Sequence, residues 1–469
     1  MVVEQSSDIK VASWKRFIRQ AKGFAIAFLL CTVVFSLLVV VSELVPRSAL
    51  RENVVESNAT LQAEGSYPAI LGGYDTHWQL DNYTNAIMIH TAFTDKGSIF
   101  ESAFAGYRHY LTGDPLTDLD SYVEHGEFGG IYSYPRYWHG WLILVRPLLM
   151  LLNLQQIRMV FFAAMTAAIA GVAVLITRVR KGSSIAAVGF AVMMTCLSYP
   201  VVCFSMSLWF SFMVALVFML LIAYDNIKGD RLLKVTGTSY GRLPLCMFYA
   251  GAITVFFDFL CTPIVSLGLP LALFVYLHAD AEWAKSIKRM LLLVVCCSVA
   301  WGAGYLLLWA AKWALASLAL GWNVFDDAFN QLFIRSSTHT SNAGGVVNFS
   351  RFKAISDNVR MLLPGWAKGM LLIGLACLVL YLLKKRKNLR GVRAAPLLAL
   401  LTIGAIPYAW FFVTANHCFI HFWFTWRNQA VAVYAAILIV ALLLNGAVGM
   451  PQKDADTGSI VERSGSTEA

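Results

Sequence analysis

The sequence predicts an all-α polytopic transmembrane helical protein of about ten spans, read from apolar runs near the ~20 residues that a bilayer core demands. Three observations carry this. Of 469 residues, 58% are hydrophobic and 14% charged, with a mean hydropathy of +0.63, a balance foreign to soluble globular proteins. The apolar residues fall in runs separated by polar segments. Lysines and arginines cluster between alternate runs, as they do on cytoplasmic loops. The net charge of +10 is therefore a topology signal, and nucleic-acid binding is set aside. The nine cysteines lie almost entirely inside apolar runs and show neither a CxxC pair nor a disulfide framework.

Residues 1–23 form a basic N-terminus (Lys10, Lys15, Arg16, Arg19, Lys22) before an apolar run at 24–45. That run is longer than a signal-peptide core and no small-x-small site follows it, so it reads as a retained anchor. Residues 46–156 are then extracytoplasmic. This loop is rich in Asp and Glu, and helix-like spacing at Asp81–Phe93 and Ile99–Tyr110 predicts amphipathic helices along the membrane surface. Tyr137–Asn153, apolar but short and interrupted by Arg146-Pro147, is expected to lie there too.

The bundle occupies 157–447. Spans are expected at about 157–176, 185–202 and 208–224, with Arg178, Arg180, Lys181 and then Lys228, Arg231, Lys234 and Arg242 at their inner ends. The run 245–277 is too long for one untilted span and is interrupted by Asp258 and Pro263. It divides into two short spans turning outside, because Lys285, Lys288 and Arg289 follow it. The run from 290 to about 318 opens a second outer loop, 321–364. Spans at 369–383, 397–414 and 430–444 complete the bundle, and the basic residues Lys384 to Arg393 separate the first two. Residues 448–469 form a polar tail expected to be disordered. Both termini are cytoplasmic on this count, with the chain in the cell membrane.

Ionisable residues collect on the outer side. Asp258, flanked by Phe256, Phe257 and Phe259, is the least solvated carboxylate and calls for a partner. Asn416, His417, His421 and Arg427 share the short stretch between the last two spans, and Lys312 lies near an outer helix end. An i, i+4 histidine pair presents both rings on one face, which with a carboxylate would suit a divalent cation, but no HExxH pattern accompanies it and no metal ligands are assigned. Phe422, Trp423, Phe424 and Trp426 fit an interfacial aromatic belt equally well. Mid-span positions are nearly free of charge and no internal repeat is evident, against what a transporter needs. A transporter or flippase of a lipid-linked or amphipathic substrate is the alternative reading, and a non-catalytic envelope-assembly protein the third.

In layout, residues 24–444 resemble the GT-C class of integral membrane glycosyltransferases, with a cytoplasmic N-terminus, a large first outer loop and many spans. The phrases Gln-Leu-Asp-Asn-Tyr-Thr (79–84), Tyr-Trp-His-Gly-Trp (137–141), Phe-Asp-Phe-Leu-Cys-Thr-Pro (257–263) and Asn-His-Cys-Phe-Ile-His (416–421) also look like those of uncharacterised bacterial multi-pass membrane proteins. The chain departs from the GT-C pattern in lacking a compact acidic pair after the first span, where Glu43 stands alone. The resemblance implies sugar transfer from a polyprenyl-phosphate donor to a cell-envelope glycan or lipid acceptor at the outer face. It implies a carboxylate base, for which Asp81 is the first choice, with Asp75 and Asp258 beside it. It implies donors for the phosphate end, for which His139, Arg146, Lys312, Asn416, His417, His421 and Arg427 are the candidates, with Arg136 as a further cation. Asp81 before Asn82-Tyr83-Thr84 also fits a helix cap, and each cation also fits interfacial snorkelling.

Overall fold

A computed structural model describes residues 2–71, 76–179, 183–236, 239–342, 345–362 and 365–448. Asp75, Arg180, Lys181 and the tail from 449 lie outside the described residues. Helix dominates, as expected. Helix α1 (Val2–Ser42) leads into a segment holding α2 (Arg51–Glu64), α3 (Asn82–Phe93), α4 (Ile99–Ala105), β1 (Arg108–Tyr110), α5 (Pro115–Asp120), β2 (Gly130–Tyr132) and α6 (Leu142–Leu149). The bundle follows with α7 (Leu154–Val179), α8 (Ser184–Cys196), α9 (Tyr199–Phe204), α10 (Met206–Ile227), α11 (Leu243–Phe257), α12 (Val265–Leu277) and α13 (Ile287–Leu320). A second polar excursion carries α14 (Val324–Ser336), the hairpin β3 (His339–Asn342) and β4 (Gly345–Asn348), and α15 (Arg351–Leu362). The chain closes with α16 (Gly365–Lys384), α17 (Ala394–Val413), α18 (Ala415–Ile420), α19 (Phe422–Thr425) and α20 (Ala430–Val448).

Six helical stretches among the described residues are long and apolar enough to cross a membrane: Ile18–Ser42 of α1, then α7, α10, α13, α17 and Phe422–Gly446. The other four expected positions hold shorter apolar helices, at Ser184–Cys196, Leu243–Phe257, Val265–Leu277 and Gly369–Lys384. The run 245–277 does divide at Asp258. Its two halves fold back because Asp258 leaves helical geometry (ψ 148°) and Pro263 follows five residues later.

The first loop differs from its expected form. Asp81–Phe93 does become a helix, but α3 is buried over Asn85, Ala86 and Met88–Phe93, because α2, α5 and α10 pack around it. Its apolar residues are core, where spacing alone suggested a membrane-surface stripe. Ile99–Tyr110 is helical only to Ala105; Gly106 (φ 60°) ends the helix in the left-handed region, and the chain enters β1, paired antiparallel with β2 from Arg108↔Tyr132. Of 137–153 only Leu142–Leu149 is helical, with Pro147 near its end.

Hydrogen bonds from side chains and backbone tie the connections into two opposite ends. At one, Arg289 Nη2 donates to Thr236 O, Tyr240 Oη donates to Arg289 O at 3.1 Å, and Arg393 donates to Ala281 O at 2.5 Å and to Glu282 at 3.1 Å. This is the basic end. At the other, the loop end, Asp81 N donates to Ser205 Oγ (3.0 Å), Gly140 N to Phe256 O (2.9 Å) and Arg427 Nη2 to His77 O (2.8 Å). Helices α11 and α13 cross in near backbone contact: a Cβ on Gly251 would lie 2.0 Å from Trp301 O, and one on Gly304 2.1 Å from Phe248 O. Only glycine permits that approach, and it fixes the face that α13 turns to α11.

Candidate functional site

Ser207 and Ser211 stand four apart on α10 and so share one face, about 5–6 Å apart at Cβ. Ser207 Oγ donates to Asp81 Oδ2 at 2.8 Å, and Ser211 Oγ to Asp258 Oδ1 at 2.9 Å. Two carboxylates separated by 177 positions in sequence, both buried, are thereby set one helical turn apart, with Cys261 within electrostatic reach of each. Asp81 is the N-cap of α3, accepting from Thr84 N at 3.1 Å, so the capping role that the sequence allowed is present. Burial pushes its carboxyl up, while the Thr84 and Ser207 donors pull it down.

Asp258 occupies the turn outside both α11 and α12. Four donors reach it: Leu260 N (2.7 Å), Ser211 Oγ (2.9 Å), Cys261 N (3.2 Å) and Tyr305 Oη (3.3 Å). Burial outweighs them and raises its carboxyl to about 6. Leu260, held at φ 70°, is a bulky residue in the left-handed region, and its carbonyl meets His417 Nε2 at 2.9 Å. None of the four donors to Asp258 comes from His417, His421 or Arg427, the partners expected for a carboxylate in so apolar a run; His417 reaches only the Leu260 carbonyl beside that turn.

Beside this turn lies a cavity of about 370 Å³. One wall is a ladder on α13, Trp301, Tyr305, Trp309 and Trp313, whose successive rings lie 5.1, 5.7 and 5.3 Å apart. The facing wall is the α14 stripe Ala328, Gln331, Leu332, Arg335 and Ser336, with Trp410, Val413 and Thr414 from the end of α17. From Ser298 to Trp313 the wall extends about 22 Å at ~1.5 Å per residue. Leu306, Leu332 and Val413 line the cavity yet are 60%, 42% and 58% exposed, so it opens sideways on the apolar flank of the bundle. Two arginines mark its loop end. Arg136 is paired with Asp327 at 2.6 Å; Arg335 has no carboxylate within 4 Å among the described residues and meets only His421 Nε2, at 3.4 Å. The Trp410 indole N–H, also in the lining, is buried with no hydrogen-bond partner among the described residues.

Several other candidates are engaged elsewhere. Arg146 is buried, pairs with Glu43 at 2.5 Å and donates to Ser42 Oγ and the Ala92 carbonyl. Lys312 points away from the ladder and donates to Phe104 O at 2.7 Å. Arg427 donates to three carbonyls, Leu197 (3.1 Å), Trp423 (3.1 Å) and His77 (2.8 Å), and so clamps three connections of the loop end. Asn416 donates to His339 O at 2.6 Å. Burial lowers both histidines of the pair, His421 to about 4, so both are neutral near pH 7. His139 is buried at φ 55°, with neither ring nitrogen hydrogen-bonded among the described residues and its ring packed on Gly106. The described residues bring together no three His, Cys, Asp or Glu side chains able to hold a metal ion.

Arg335, Tyr305 and the α13 ladder escaped selection in the sequence, although Trp301, Tyr305, Trp309 and Trp313 are spaced i, i+4, i+8, i+12. That spacing was legible as one helix face, but inside an apolar span an aromatic stripe reads as core or lipid contact. Comparison with protein-family models, curated proteins and solved structures yields no match.

Proposed function

We propose that this chain is an integral membrane glycosyltransferase of about ten spans, with both termini and the basic end cytoplasmic, as the positive-inside rule assigns them. It takes a sugar from a polyprenyl-phosphate donor and gives it to a cell-envelope acceptor at the extracytoplasmic, loop end. One observation carries the reading: the cavity is apolar and aromatic along a membrane-spanning helix, is open sideways, and ends in Arg335 and Arg136. An isoprenoid chain suits the ladder and the open flank. A phosphate suits the arginines, which oppose its charge and donate in pairs. Arg427, Arg146 and Lys312, whose donors are bound to protein groups, serve the architecture in this reading.

Asp258 and Tyr305 supply the proton chemistry. Tyr305 lines the cavity and its hydroxyl contacts the carboxylate, so an acceptor hydroxyl beside it passes its proton through Tyr305 to Asp258. The acceptor oxygen forms the new bond to the anomeric carbon, the bond from that carbon to the phosphate oxygen breaks, and its electron pair leaves on polyprenyl phosphate against Arg335. Asp81, one turn away on the same α10 face, keeps α3 in place and adds a second buried carboxyl to the site.

The test is transfer from radiolabelled polyprenyl-phosphate sugars by protein in nanodiscs. Tyr305→Phe is expected to lower turnover roughly 10²-fold or more, the scale of general acid–base catalysis, with donor binding retained. Unchanged turnover removes the Tyr305–Asp258 route. Passage of the labelled lipid across a vesicle bilayer without transfer would replace the enzyme with a flippase.

A further inference from the structure

We infer that the second polar excursion is a membrane-seated collar: one exposed face of α14 and the first turn of α15 lie in the outer leaflet of the bilayer, beside the opening of the cavity. The inference needs α13 and α17 to span the membrane and is independent of sugar transfer. Along α14, Phe325, Phe329, Leu332 and Phe333 recur at i, i+4, i+7 and i+8, the spacing of one helix face. Phe329 and Leu332 are exposed, and Phe333 is 71% exposed. Val324 and Ala328 point inward and are buried where α14 packs on α13 and α18, while Asp326 and Asn330 are exposed on the far side. The helix has thus buried one apolar side already. Its second apolar side is covered by nothing within the described residues.

That side continues the flank of the bundle. Trp313, the last ring of the α13 ladder, lies 5.6 Å from Phe325 and 5.7 Å from Phe329. Arg351 fastens the excursion to the end of α17, donating to Phe412 O at 2.5 Å and to Ser336 O, at the end of α14, at 2.9 Å. Next to it Phe352, 73% exposed, meets the Phe412 ring at 6.0 Å. Phe412 and Val413 are exposed at the end of a helix long and apolar enough to cross a membrane, and Leu318 is 80% exposed near the end of another. Exposed rings therefore carry the apolar surface of two spans past their ends and onto the excursion.

The occupant follows from that continuity. Phenyl rings and leucine suit acyl chains, while Trp322, Arg351 and Lys353, around the same surface, suit headgroup depth, where indoles sit and long cationic side chains lay their stems along apolar neighbours. In water, Phe333 and Phe352 would stand as bare apolar surface. A second copy of this chain seated here would close the gap between Leu332 and Val413 through which the cavity opens. Leu332 belongs both to the stripe and to the cavity lining, so the mouth lies within the leaflet. An amphiphile enters from the bilayer without crossing water.

The experiment uses full-length protein in phosphatidylcholine nanodiscs, with photoreactive benzoylphenylalanine in place of Phe333, Phe352, Asn330 or Val413, one position at a time. Each variant is illuminated, and its lipid and protein adducts are quantified by mass spectrometry. Val413, on the span itself, sets the yield of a lipid-facing side chain, and Asn330 that of a water-facing one. Lipid adducts at 333 and 352 within twofold of the yield at 413, with at least fivefold less at 330, are expected. A lipid yield at 333 or 352 below half that at 413, a yield at 330 equal to theirs, or cross-links to a second copy in place of lipid, overturns the collar. If the variant at 333 does not fold, Phe329 on the same stripe is substituted in its place and judged by the same thresholds.

Discussion

Replacing Arg427 by Met separates clamp from phosphate ligand. Arg427 is fully buried, its guanidinium stacks over Trp426 at 4.9 Å, and it donates to the carbonyls of Leu197, Trp423 and His77. The Trp423 carbonyl keeps a second donor, the Trp426 indole at 3.0 Å, so the loss falls chiefly on the carbonyl of buried Leu197. A buried acceptor left without a donor costs about 1–3 kcal/mol. Removing a buried cation that has no carboxylate within 4 Å among the described residues returns part of that, and methionine retains much of the packing, so a net loss of about 1–2 kcal/mol is expected. The assay is thermal unfolding of purified protein in detergent, followed by polyprenyl-phosphate binding on the folded fraction. A lower Tm with near-normal affinity is the expected result. Wild-type stability together with lost affinity would refute the clamp and return Arg427 to the phosphate role that the sequence offered.

Three further predictions concern other parts of the molecule. Arg335→Gln, at a half-buried position without a carboxylate partner among the described residues, should weaken polyprenyl-phosphate binding about tenfold or more, since a charge-assisted bond contributes about 1.5–3 kcal/mol, with little change in Tm. The contributions of His421 and His109 to stability should fall on acidification from about pH 6.5 toward pH 4, because burial lowers both to about 4 and only the unfolded chain protonates them in that window, while Asp258, raised to about 6, takes up its proton in the folded chain and works the other way. The His421→Gln variant should show a shallower fall of Tm there, and an identical slope would count against a buried neutral His421. Gly251→Ala should cost about 1–3 kcal/mol by forcing α11 off α13, read as a lower Tm; a neutral effect would mean that the crossing is looser than the 2.0 Å approach requires.

Much of the helical frame was legible in the sequence because each apolar run declares itself by length and each basic cluster marks an end. Asp258 was legible as a break for the same reason: a carboxylate and a proline inside an unbroken apolar run have few other uses. The helix at Asp81–Phe93 was visible, but its burial was not, since spacing shows a face without saying what covers it. The site was harder. Asp81 and Asp258 meet through Ser207 and Ser211, and serines in an apolar helix carry no signal until their partners are folded against them. Arg335 lay unnoticed among the charges of the second outer loop; what sets it apart is its place in the cavity lining with no carboxylate within 4 Å among the described residues, a property of the fold. Arg427 looked functional because a cation beside an apolar run is costly, yet three backbone carbonyls answer that cost.

The most direct test of the central claim is equilibrium binding of polyprenyl phosphate to the full-length protein in nanodiscs, wild type against Arg335→Gln and against Leu306→Trp, which narrows the open flank of the cavity. Saturable binding by the wild type, weakened at least tenfold in both variants with Tm preserved, is the predicted result. No saturable binding by the wild type, or equal affinity in all three proteins, would contradict a lipid-phosphate site between α13 and α14.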